Sequence, residues 1–153
     1  GWLLQLTVTD IADDAAFNQF LAGTELLKTR PEPYFQRAMQ LAAQENYAAA
    51  ITLLQQAVQQ PATDDDAKAV LTESSYQLAR CAVLGKTAVA DGIAAMQQYL
   101  QANPASERHD WAQLRLAQLY LLADSPDKAK AITEPLLAAT DDDKLKAELK
   151  KLL

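Results

Sequence analysis

The stretch from Pro33 to Pro61, PYFQRAMQLAAQENYAAAITLLQQAVQQP, constrains the fold more than any other part of the chain. Tyr34, Ala38, Leu41 and Ala42 recur at helical spacing, and after a tight turn at Glu45 and Asn46 so do Ala50, Ile51, Leu54, Ala57 and Val58. Two short amphipathic helices joined this way expose an apolar face that neither can bury alone. Looser copies downstream supply a cover. The small residues Ala50, Gly92 and Ala129 stand 42 and then 37 residues apart, a period that marks stacked helical hairpins.

Composition points the same way. Of 153 residues half are hydrophobic, only 7% are aromatic and 4 are glycine, and alanine, leucine and glutamine dominate, so an all-α fold in one structural domain is expected. The formal charge of -6 and a pI near 4.7 repel phosphate backbones and anionic headgroups, which argues against nucleic acid as a partner. No apolar run reaches the roughly 20 residues of a membrane span, so no membrane insertion is expected. Trp2 to Val8 is too short, and wrongly flanked, for a signal peptide. A start at Gly1 suggests a segment of a longer protein. Either the chain is cytoplasmic, or a targeting segment lies outside it and a periplasmic location follows. Cys81 is the sole cysteine, which excludes an internal disulfide and a cysteine metal cluster.

Trp2 to Val8 is the one strand-like stretch, and it reads equally as a short helix or an arm. Thr9 or Asp10 offers a cap for a first helix carrying Ile11, Phe17 and Leu21, with Asp13 and Asp14 in its first turn. Thr63 followed by Asp64, Asp65 and Asp66 starts a long helix through Val70, Leu71, Leu78, Cys81 and Ala82. It should stop at Gly85 in a left-handed conformation. Thr87 is expected to open the next helix, with Ile93, Met96, Tyr99 and Leu100 inward and Asn103 and Pro104 closing it. A further pair begins with Trp111, Leu114, Ala117, Leu119 and Tyr120. Its second helix starts near Ser125 and Pro126, and Pro135 should kink or shorten it. Thr140 caps a last helix with Leu145, Leu149 and Leu152 on one side.

These patterns resemble the tetratricopeptide repeat over about residues 31–139. Tyr34, Ala38, Leu41, Tyr47, Ala50, Leu54 and Ala57 carry the likeness in the first unit, and Leu116, Ala117, Tyr120, Ala129 and Leu136 in the third. In the middle unit Leu78, Ala79, Gly92, Met96, Tyr99 and Pro104 fit if the turn holds one extra residue. The resemblance implies a right-handed α-solenoid of three hairpins, about 31–62, 63–104 and 105–139. An arm and helix over 1–30 would precede them, and a capping helix over 140–153 would follow.

No catalytic constellation stands out. His109, the only histidine, sits between Arg108 and Asp110 at a helix start with no nucleophile indicated nearby, and reads as a solvated terminal residue. Cys81 falls on the apolar stripe with Leu78, away from Arg80, and reads as a buried structural thiol. A calcium loop counted from Asp64 would need glycine at Ala69 and glutamate at Ser75, and one counted from Asp141 needs them at Lys146 and Leu152, so capping explains both acidic triplets. The few isolated glycines form no phosphate loop, and no cofactor or metal is implied. A non-enzymatic chain is the expectation.

In the resembled family the first helix of each pair lines a concave groove for peptides. Carried over, the groove candidates are Phe35 and Met39, then Tyr76, Arg80 and Val83, then Trp111, Leu114, Gln118 and Leu121. Mostly apolar groups there disfavour the family's clamp for acidic chaperone tails and suit an amphipathic or hydrophobic segment. Alternatively, residues 1–22 fill the groove. The resulting expectation is a scaffold or adaptor for another protein, as part of a longer bacterial one. A small acidic secretion chaperone, or a regulatory or substrate-positioning domain of an enzyme, stand as alternatives.

Overall fold

The computed structural model describes residues 14–23 and 25–153, which contain eight α-helices and no strand. The expectations for Trp2 to Val8, for Thr9 or Asp10 as a cap, and for Ile11 and Asp13 lie outside the described residues. The chain packs as two compact units, one ending at Leu78 and the other spanning Ala79–Leu153.

The first unit holds α1 (Asp14–Ala22), a 3-10 turn (Glu25–Thr29), α2 (Glu32–Ala43), α3 (Tyr47–Val58) and the start of α4 (Asp65–Gly85). Helices α2 and α3 pack as a hairpin, burying Ala38, Leu41, Ala50, Ile51, Leu54 and Ala57. Phe17 and Leu21 of α1 cluster with Tyr34 and Ala57, the Phe17 and Tyr34 rings meeting edge to face at 6.1 Å. Asp64 caps α4 by accepting a 2.8 Å hydrogen bond from the Ala67 amide, and Arg30 bridges Glu32 and Asp64. Those contacts, the Ala67 amide foremost and then Arg30, hold the Asp64 carboxyl below the usual carboxylate range.

The second unit holds the end of α4, then α5 (Val89–Ala102), α6 (His109–Leu122), α7 (Pro126–Ala139) and α8 (Asp143–Lys150). Helix α6 is its hub, packing against α5, α7 and α8. Its buried residues Ala112, Leu114, Leu116, Ala117 and Leu119 therefore lie all round the helix instead of on one stripe. A cluster of Leu114, Leu136, Leu145 and Leu149 joins α6, α7 and α8, with Trp111 and Leu152 packed against it.

One turn recurs three times. Glu45, Lys86 and Asp124, 41 and 38 residues apart, hold left-handed backbone angles. In each case the next amide bonds back to a carbonyl of the preceding helix: Asn46 to Leu41 at 2.9 Å, Thr87 to Ala82 at 3.3 Å and Ser125 to Tyr120 at 2.8 Å. Seven residues before each turn stands a fully buried alanine, Ala38, Ala79 or Ala117. Shortly after each stands the buried Ala50, Gly92 or Ala129. At Gly92 there is no room for a side chain, since a Cβ there would lie 2.7 Å from the Ala82 Cβ and 3.0 Å from Leu119.

Several local expectations change. Gly85 remains helical and Lys86 takes the left-handed position. Ala88, itself left-handed, precedes α5 instead of Thr87, with no side-chain cap. Asp142 caps α8 through the Lys144 and Leu145 amides, while the Thr140 hydroxyl accepts from the Asp142 amide. Helix α7 continues through Pro135 to Ala139, so Pro135 does not shorten it, and Pro135 and Ala131 are both exposed, which leaves the Ala131 carbonyl, deprived of an amide partner, open to water. Among the described residues no helix is long and apolar enough to cross a membrane.

Candidate functional site: an apolar depression beside the end of α6

The hub helix α6 is buried along most of its length, and its last turn breaks out of the core. Leu121 and Leu122 are 36% and 38% exposed, whereas Leu119, two residues before Leu121, is fully buried. Around them lies a depression of about 300 Å³ lined by Val83, Lys86, Gln118, Leu121, Leu122 and Leu152. Two helices and the stretch after α8 build it. The end of α4 contributes Val83 and the Lys86 that follows in the turn, α6 contributes Gln118, Leu121 and Leu122, and Leu152, two residues past α8, completes the lining.

Gln118 is held in place by Arg115, whose guanidinium donates to the Gln118 side-chain oxygen at 2.9 Å. The (i, i+3) spacing on α6 puts the two side chains on neighbouring positions of one face. Lys86 is exposed in its left-handed turn and is the one charged group in the lining. The chemistry available is burial of apolar groups with an amide at one side and an ammonium at the other. Among the described residues no group of three histidine, cysteine or acidic side chains is gathered to hold a metal.

Of the groove candidates, Val83, Gln118 and Leu121 come together in this depression. Leu114 is 1% exposed within the core cluster, and Trp111 packs half-buried against that cluster. Arg80, on α4, is half-buried. In the first unit Phe35 and Met39 on α2 and Tyr76 on α4 are each half-buried. The described part of the N-terminal region packs beside a different residue, Tyr34, through Phe17 and Leu21. A second depression of about 290 Å³, with Phe17, Leu41, Leu53 and Gln56 in its walls, contains none of the candidates.

Lys86, Leu122 and Leu152 were not among the expected lining residues. Leu152 was legible as part of the apolar side of the last helix. Leu122 is a neighbour of Leu121 that helical periodicity alone assigns to another face, and Lys86 carries no apolar signal at all.

Cys81 and His109 do not line this depression. Cys81 is fully buried, and burial pushes its thiol up, against a smaller opposing influence of Arg80. His109 is half-buried at the start of α6, its Nδ1 enclosed without a hydrogen-bond partner. No protein-family model matches the chain, and no curated protein matches it.

Proposed function

We propose that this chain is a non-enzymatic protein–protein interaction module, a tetratricopeptide-like array of three helical hairpins that holds a segment of a partner polypeptide. The observation that carries the reading is the emergence of Leu121 and Leu122 from the core into a depression that also gathers Val83, Gln118 and Leu152. Exposed leucines lining a concavity cost solubility unless something covers them. The recurring turn at Glu45, Lys86 and Asp124, with its buried small residues on either side, supports the repeat architecture that such modules use.

A photo-crosslinking amino acid tests the reading directly. Placed at Leu122, it should trap a discrete partner polypeptide in cells, whereas the same group at exposed Gln98 on α5 should not. Equal trapping at both positions, or none at Leu122, would count against the depression as the binding surface.

A further inference from the structure

We propose that the leucine face of the Ala79–Leu153 unit closes on the same face of a second copy of this chain, as a two-fold symmetric dimer. This rests on the interaction-module reading and names the partner polypeptide. Beside the depression around Leu122 lies another of about 310 Å³, lined by Leu121, Pro126, Lys130, Glu134, Leu152 and Leu153. Leu121 and Leu152 belong to both linings and form the wall between them. Among the described residues the exposed large hydrophobics are Leu84, Leu121, Leu122 and Leu153, and all but Leu84 line one depression or the other. Apolar exposure gathered on one face marks an interface, and a closed dimer covers it on both partners at once.

The layout of charge selects a copy over a foreign partner. Lys86 lines the depression on the α4 side. Asp124 and Asp127 stand exposed on either side of Pro126 in the sequence, and Pro126 lines the depression on the α7 side. None of these three makes an ion pair among the described residues. The other charged groups nearby are engaged, since Lys130 faces Glu134 at 3.5 Å and Lys128 lies 5.5 Å from the centroid of the Tyr120 ring. Lys86 and Asp124 also hold the same left-handed place in successive turns. Unsatisfied charge is thus positive on one side of the Leu121 and Leu152 wall and negative on the other. A two-fold axis through that wall brings the lysine side of each copy onto the aspartate side of its partner, and it makes the match twice. A partner of single sign gains on one side and is repelled on the other. A second copy carries the opposite layout by construction.

Sedimentation equilibrium of the intact chain should show monomers and dimers exchanging across a dilution series. Leu121→Asp, at an exposed position, should keep its circular dichroism and stay monomeric. Lys86→Glu, and separately Asp124→Lys combined with Asp127→Lys, should each weaken dimerisation about tenfold, because each sets like charges together twice. An equimolar mixture of those two charge variants restores both matches with the signs exchanged and should associate as tightly as the parent. With the photo-crosslinking amino acid at Leu122, the trapped polypeptide should be the chain itself. A chain that stays monomeric while Leu122 traps a different polypeptide overturns the second copy and leaves the interaction-module reading standing. A dimer that survives Leu121→Asp, or charge variants that mixing does not rescue, overturns this interface. No trapping of either kind at Leu122 overturns both readings.

Discussion

The turn at Glu45–Asn46 and the turn at Lys86–Ala88 do the same job with different chemistry. Both begin with a left-handed residue and the same backward hydrogen bond, Asn46 to Leu41 and Thr87 to Ala82. In the first, Asn46 then caps α3, its side chain accepting from the Ala49 amide at 3.4 Å. In the second, one more residue intervenes, Ala88 is also left-handed, and α5 starts with no side-chain cap. Flanking positions nevertheless match: Ala38 with Ala79, Ala50 with Gly92, and Leu54 with Met96, every one of them buried. Interior contacts therefore tolerate less variation than the solvent-facing turn. The reason is energetic, since a lost cap costs about 1 kcal/mol and water can replace it, whereas a buried misfit has no substitute partner.

The sharpest way to break the comparison is at the small residues. Gly92→Val should destabilise the chain by about 2–3 kcal/mol, because the added atoms drive into Ala82 and Leu119. Ala50→Gly, at the matching position, should cost only about 1 kcal/mol, chiefly through helix propensity. Urea titrations followed by circular dichroism measure both, and equal losses would mean that the two hairpins are packed alike. A smaller effect of opposite sign is expected in the turns. Asn46→Ala should lose about 1 kcal/mol. Ala88→Gly should gain roughly 1 kcal/mol by relieving a left-handed alanine. A loss at Ala88→Gly would show that the second turn is not strained.

The smallest effect concerns charge at a cap. The Leu145 amide above all, with the Lys144 amide and the Trp111 indole, holds the Asp142 carboxyl below the usual range. A depressed folded pKa means that the stabilisation is complete above the ordinary carboxylate value, about 4, and fades as pH falls through the folded value. Asp142→Asn keeps a good cap but no titrating charge, so its urea midpoint should decline less steeply below about pH 4 than that of the parent. Parallel profiles would remove Asp142 from the acid response. Against uncapped α5, this helix shows what a charged side chain adds.

How much of this was legible follows from which groups leave a periodic trace. Apolar periodicity exposed the helices, and Ala50, Gly92 and Ala129 marked equivalent sites because a close helix approach accepts few residue types. The turn at Lys86 was masked by its neighbour, since Gly85 is the residue that ordinarily adopts left-handed angles and here it does not. Leu114 was a groove candidate through the geometry of the resembled family, whereas α6 is enclosed on several sides and Leu114 lies in the core. The depression itself is drawn from α4, α6 and the stretch after α8, so Val83, Gln118 and Leu121 could be singled out helix by helix, but Lys86 and Leu152 joined them only through tertiary packing.

Pro135 has a kinetic consequence. It brings no amide proton to α7, and the carbonyl of Ala131 is left to solvent, so the ladder of that helix is interrupted at one rung while its axis continues. The rungs beyond it, such as the 3.0 Å bond from the Thr140 amide to Leu136, are insulated from the turns before it. In a hydrogen-exchange experiment the end of α7 would open as its own unit, its amides trading for deuterium while those nearer Ala129 and Thr133 stay protected.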